Sequence, residues 1–139
     1  MTDTSYLDIQ AVDTWLSAHL TGYQGPSETQ KFTGGQSNPT FRISAKSGNY
    51  VLRRKPPGVL LKSAHAVDRE FRVQSALKKT AVPVAEMHVL CEDDNVIGSA
   101  FYVMDMVNGR NFDDPRLPGL SFEDRKPVIE EMNRVLAAI

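Results

Sequence analysis

Tyr50-Val51-Leu52-Arg53-Arg54-Lys55-Pro56-Pro57-Gly58 changes character abruptly, from apolar and β-favouring to basic and then to proline. Tyr, Val and Leu suit a pleated, half-buried backbone, so Tyr50 to Arg54 reads as a strand. Two consecutive prolines remove two ladder donors, which forces that strand to end at Pro56-Pro57-Gly58. Side chains alternate along a strand, so Val51 and Arg53 share one face while Tyr50, Leu52 and Arg54 share the other. One arginine of the pair must therefore point toward whatever the sheet covers.

Upstream, Lys31-Phe32 and Thr40 to Ser44 read as two further short strands. They are joined by Gly34-Gly35-Gln36-Ser37-Asn38-Pro39, and Lys46-Ser47-Gly48-Asn49 leads into the basic strand. Sequential short strands with tight turns predict an antiparallel meander. Before them, Ile9, Val12, Trp15, Leu16 and Leu20 recur at helical spacing over Asp8 to Leu20, ending at Thr21-Gly22, with Gly25-Pro26 breaking the chain. Downstream, Ser63 is placed to cap a second helix from Ala64 to about Lys79. Its face is Val67, Phe71, Gln74 and Leu77, broadened by Val73 and Ala76. Val82-Pro83-Val84 is an extended connection. His88 to Glu92 and Ala100 to Met106 follow as two strands, with Asp93-Asp94-Asn95 and Gly98 supplying the turn between them. Ser121 and Asp124 form a weak capping box for a last helix with the face Val128, Met132, Val135, Leu136 and Ile139, in which Pro127 predicts a kink or a delayed start.

A chain of 139 residues, 41% apolar and 24% charged, is long enough to bury roughly two thirds of its unfolded surface without a disulfide or metal. One cysteine, Cys91, cannot form an internal disulfide, which fits a reducing compartment. No apolar run approaches the roughly 20 residues of a membrane span, and Met1 to Asp8 lacks the regions of a signal peptide, so the expected location is cytoplasmic, with no membrane partner. The net charge of -1 conceals an uneven distribution. Residues 1–30 carry four acids and no base, residues 31–67 seven bases and no acid, and residues 68–139 nine bases and thirteen acids. The acid-free central stretch is where an anionic ligand would bind.

Four features could carry chemistry. Gly34 and Gly35 allow a tight turn whose successive N–H groups can point at phosphate oxygens, although a glycine pair between strands is by itself an ordinary hairpin turn. Arg53 beside that turn completes a phosphate donor set, the plain alternative being an arginine that snorkels to water. Glu70 borders an apolar helix face and needs a cation if buried, for which Arg53 is in reach. Otherwise it is a rim residue paired with Lys62 or Gln74. The strand running from Phe101 into Val107-Asn108-Gly109 has backbone groups at its end for a planar heterocycle, with Met104 and Met106 as adaptable apolar walls or plain core. His19, His65, His88 and Cys91 lack metal-ligand spacing, and there is no G-x-S-x-G, P-loop or G-x-G-x-x-G.

Strand, glycine turn, strand, basic strand, helix with an inward Glu, two strands and a linker is an order that resembles the small lobe of the kinase fold. The runs Gly35-Gln36-Ser37-Asn38-Pro39-Thr40-Phe41, Tyr50 to Gly58, Ala64-His65-Ala66-Val67-Asp68-Arg69-Glu70-Phe71 and Val96-Ile97-Gly98-Ser99-Ala100-Phe101-Tyr102-Val103-Met104 carry the resemblance further. From about Lys31 to Ile139 the chain is similar to the aminoglycoside phosphotransferase and choline kinase-like family. Within it, the likeness is to the branch found as the kinase-like domain of certain acyl-CoA dehydrogenase family members and their bacterial single-domain relatives.

The resemblance implies an α+β fold: a five-stranded antiparallel sheet with a packed helix, an N-terminal helix, and the first helix of a truncated C-terminal lobe. The implied division is residues 1–27, an N-terminal helix and linker; 28–108, the nucleotide-binding lobe; and 109–139, a linker and that first helix. It implies ATP as cofactor. Gly34, Gly35, Gln36, Ser37 and Asn38 would cover the phosphates, Arg53 would stand where protein kinases have Lys, and Glu70 would orient it. Val51, Met104, Asp105 and Met106 would complete the nucleotide site, the last two through backbone groups offered to adenine. The family's catalytic loop and magnesium ligands lie in a large lobe beginning near Ser121. No catalytic or metal-binding residue is therefore expected here, and this piece alone is not expected to transfer phosphoryl groups.

The function so implied is the ATP-binding lobe of a phosphotransferase acting on a small-molecule hydroxyl, with a hydroxyacyl-type acceptor hinted at by the branch. A non-catalytic kinase-like module that binds nucleotide or a protein is the alternative. Nucleic acid is disfavoured, since Phe32, Phe41 and Tyr50 are sparse stacking groups and no RNP-like motif occurs. The apolar face of the last helix is expected to pack on the lobe or on a neighbouring chain as a homo-oligomer contact.

Overall fold

The strand that the prolines terminate is β3 (Gly48–Arg54), third in an antiparallel sheet of order β1-β2-β3-β5-β4. In the computed structural model of the chain, residues 6–33, 37–56 and 66–139 are described. β1 (Glu28–Lys31) and β2 (Thr40–Ala45) form the expected meander with β3. β5 (Phe101–Asp105) pairs with β3 on its other side, and β4 (Met87–Cys91) closes the sheet as an edge strand. The β2–β3 hairpin is tight because Ala45 faces Gly48, whose φ of +147° an L side chain rarely adopts.

The pleat sorts side chains onto two faces. Phe41, Ile43, Leu52, Phe101, Val103 and Cys91 meet the buried side of α1 (Ile9–His19), where Val12 and Leu16 lie one turn apart. Each large apolar side chain buried there contributes about 1.5–3 kcal/mol, which makes this layer the main source of stability. Trp15 joins it, stacked on His19 with ring centroids 4.2 Å apart and edge-on to Phe101 at 5.2 Å. On the opposite face α2 (Val67–Leu77) lies beside β4 and β5.

Arg54 leaves β3 on the α1 side, where its buried guanidinium donates from Nε to Ser99 Oγ at 3.0 Å and from Nη2 to the Ile97 carbonyl at 2.9 Å. Burial lowers its pKa below the usual arginine range. These bonds fasten the end of β3 to the segment that enters β5. That segment holds the clearest departure from the sequence reading. Asp94–Ile97 is a single helical turn, α3, where a plain turn is predicted. Asp93 caps it by accepting from Asn95 N, and Gly98 ends it at φ +82° in the left-handed region.

Several boundaries also move. β1 begins at Glu28 and stops before Phe32, although Phe32 N–H still donates to the Thr40 carbonyl at 2.9 Å. α2 ends at Leu77, with Ala66 rather than Ser63 at its N-cap, and the expected cap Ser63 lies outside the described residues. Val73 and Ala76 are exposed and do not broaden its apolar face. β5 stops at Asp105, one residue before Met106. α4 (Phe122–Ala138) starts directly after its Ser121 cap and runs through Pro127, so the start is not delayed. Its expected packing on the lobe is absent. Met132, Leu136 and Ile139 are 62%, 72% and 82% exposed. Among the described residues no helix is long and apolar enough to cross a membrane.

The N-terminal helix is tied to the strand layer by one carboxylate. Asp13 accepts from the Tyr23 hydroxyl, from Ser27 N–H at 2.9 Å and from Ser27 Oγ at 2.6 Å. Burial alone would raise its pKa, but the hydrogen bonds from Ser27 and Tyr23 together outweigh it and hold the group below its ordinary 3.8. Burial, with the bond to Asp13, correspondingly raises the Tyr23 pKa. A carboxyl favoured as an anion in the folded state adds stability above pH 3.8, and that contribution is lost as pH falls through the lower folded value. Asp13→Ala removes the acceptor of three donors and should cost about 2 kcal/mol in urea unfolding followed by circular dichroism. Asp13→Asn should flatten the acid limb of the stability curve below pH 4 relative to the parent. An unchanged acid limb would refute the latch.

Candidate functional site

On the face opposite α1, Arg53 and Glu70 meet. Arg53 is placed by the β3 pleat, and Glu70 lies in the first turn of α2, on the side that faces the sheet. Arg53 Nε stands 2.9 Å from Glu70 Oε2, with both side chains partly exposed. Arg53 Nη1 also donates to Thr40 Oγ1 over a long 3.4 Å, and that hydroxyl donates to the Asn38 carbonyl at 3.1 Å. The ion pair and this long contact hold the guanidinium on the face beside Thr40 and Glu70.

Glu70 gathers two further donors. The Asn38 side-chain amide donates to Glu70 Oε1 at 3.0 Å, and the Tyr102 hydroxyl to Oε2 at 3.0 Å. Asn38 is only 2% exposed and Tyr102 1%. Burial, reinforced by the Glu70 carboxylate, pushes the Tyr102 phenol up to about 12, so the hydroxyl stays protonated and acts as a donor. Gln74 Nε2 reaches the same hydroxyl at 3.5 Å, the outer limit for a hydrogen bond.

The remaining expected site residues fall into three groups. Val51 and Met104 are cross-strand partners two residues along from Arg53 and on the same face, Val51 buried and Met104 half-buried, and together they form an apolar patch beside the cation. Asp105 and Met106 lie at the other end of β5. Asp105 pairs with Tyr50, three residues from Arg53 along β3 and so roughly 10 Å away. The Asp105 N–H is engaged by the Glu86 carbonyl at 2.9 Å, and its carboxylate turns away to His88 Nε2 at 2.6 Å. What Asp105 can offer an adenine edge is therefore its carbonyl. Ser37 is exposed at the foot of the turn, while Gly34, Gly35 and Gln36 lie outside the described residues.

Asn38 and Arg53 are both brought onto Glu70, and Tyr102 and Thr40 join them without having been singled out in the sequence, while Gln74, a partner expected for Glu70, reaches the Tyr102 hydroxyl. Tyr102 left one usable signal, since a buried tyrosine needs a hydrogen-bond partner for its hydroxyl. Finding that partner required the Arg53↔Tyr102 register. Chemically, the face offers an oriented guanidinium, whose planar fork matches phosphate oxygens, next to an apolar surface suited to a flat ring.

A family model described as the phosphotransferase enzyme family matches residues 28–139. The chain is 42% identical over 134 residues to acyl-CoA dehydrogenase family member 11 of Mus musculus, covering 94% of this chain and 17% of that protein. It is 46% identical over 124 residues to family member 10 of the same organism, covering 89% of this chain and 11% of that one. A crystal structure of a candidate aminoglycoside phosphotransferase from Ralstonia eutropha JMP134 superposes with a TM-score of 0.80 at 45% identity, over 96% of this chain and 38% of that chain. This chain thus spans about a sixth or less of these two curated relatives and under two fifths of the solved one. The five-stranded sheet with its flanking helices is the kinase-like fold of that neighbour, and the chain belongs to the phosphotransferase enzyme family.

Proposed function

We propose that this chain is the ATP-binding lobe of a phosphotransferase that passes the γ-phosphoryl group of ATP to the hydroxyl of a small molecule. The observation that carries the reading is the Arg53–Glu70 pair, at 2.9 Å, standing against Asn38 of the glycine turn in a member of this family. An anchored guanidinium beside a glycine turn supplies charge-assisted bonds to phosphate oxygens, each stronger than a neutral hydrogen bond. The Val51–Met104 patch would take the adenine ring, and the Asp105 carbonyl with the Met106 backbone its polar edge. The central stretch with seven bases and no acid supports an anionic ligand on this lobe.

Phosphoryl transfer would also need magnesium to neutralise the charge on the phosphates. Among the described residues no group of three or more His, Cys, Asp or Glu could hold a metal ion, so the donor set here does not fit that role. We assign the metal ligands and the acceptor-positioning groups to residues outside this chain, and expect no turnover from the chain alone. The acyl-CoA dehydrogenase relatives favour a hydroxyacyl-type acceptor, and a cytoplasmic site of action fits an ATP-dependent reaction.

Isothermal titration of the chain with ATP, ADP and AMP tests the reading. ATP should bind saturably and more tightly than AMP, and Arg53→Ala should weaken ATP roughly tenfold to a hundredfold while leaving the melting temperature near that of the parent. Absence of saturable ATP binding at millimolar concentration, or an Arg53→Ala chain that binds as well as the parent, would overturn it.

A further inference from the structure

The Glu70 carboxylate carries more than an ion pair needs. Beside the ion pair with Arg53, whose Nε lies 2.9 Å from Oε2, its two oxygens accept hydrogen bonds from two other parts of the chain, Tyr102 Oη on Oε2 and Asn38 Nδ2 on Oε1. The terminal torsion of a glutamate is broad and roughly two-fold, so one cation on one oxygen leaves the carboxylate plane loosely set. A donor on the second oxygen removes that freedom, and Asn38 is the residue that supplies it. Asparagines in turns ordinarily spend their side chains on backbone groups a few residues away. The Asn38 amide reaches 32 positions along the chain to Glu70, and the residue is buried in doing so.

Tyr102 shows the same economy of role. A phenylalanine would fill its buried volume beside Phe71 equally well, so what the hydroxyl adds is the bond to Glu70. Its high pKa, set by burial and by the Glu70 charge, keeps that bond in the donating sense. Gln74 lies within reach of the hydroxyl from one turn further along α2.

We infer that Asn38 and Tyr102 are positioning residues that orient the Arg53 guanidinium through Glu70. The functional weight of the inference rests on the nucleotide reading above, but its geometry does not.

The Arg53 Nε–H signal in the nitrogen-15 spectrum of the labelled chain, assigned by its loss in Arg53→Lys, reports this orientation directly in the absence of any nucleotide. Glu70→Gln sets the scale for a released guanidinium. Tyr102→Phe keeps shape and removes one donor, and Asn38→Asp keeps shape and replaces a donor with a repelling oxygen. Each should move the Arg53 signal toward its Glu70→Gln position and speed its exchange with water roughly threefold to a hundredfold, with the rest of the spectrum in place. ATP affinity should fall in the same order. Folded Tyr102→Phe and Asn38→Asp chains that both retain the parental Arg53 signal and exchange rate would overturn the inference. Should the parent chain fail to bind ATP, the nucleotide reading falls, and the nucleotide-free spectra still decide the positioning roles.

Discussion

Two adjacent arginines at the end of a central strand cannot point the same way, and the rest of the molecule is arranged around that constraint. The pleat sends Arg54 into the layer under α1 and Arg53 onto the face shared with α2. Each solves a different problem. Arg54 sits among neutral acceptors, Ser99 and the Ile97 carbonyl, and works as a rivet between β3 and the approach to β5. Arg53 is held by a carboxylate and remains partly exposed, as its proposed role toward a ligand requires. An ion pair so placed gives little stability in its own right, which points to a role other than holding the fold together.

Stability comes from the other face. The apolar layer between α1 and the sheet and the Asp13 latch connect the N-terminal helix to the strands without drawing on any residue near Arg53. Separating the two tasks by the thickness of one sheet lets the α2 face keep polar and half-buried groups such as Glu70 and Gln74, which a core would reject.

Much of this was legible in the residues. Alternation along Tyr50 to Arg54 predicts the split of the arginines, and the border position of Glu70 on a helical face predicts a cationic partner in reach. The antiparallel sheet follows from short strands with tight turns. Non-local facts were not legible. That β5 lies against β3, with Tyr102 across from Arg53, is set by sheet order and not by any local spacing. Asp94–Ile97 is too short to show helical periodicity, and only its Asp93 cap and Gly98 stop hinted at it. Pro127 reads as a breaker, yet the seventeen-residue α4 absorbs the loss of one internal hydrogen bond. The coverage of the α4 apolar face lies beyond a sequence pattern, which marks a face as apolar without saying what meets it.

Trp15 is the single tryptophan of the chain, and it sits in the α1 layer, sandwiched between the His19 ring and the edge of Phe101. Its emission is therefore an optical gauge of whether the N-terminal helix is docked, with the full thickness of the sheet between it and Arg53. Excitation selective for tryptophan therefore reports from the α1 side of the sheet.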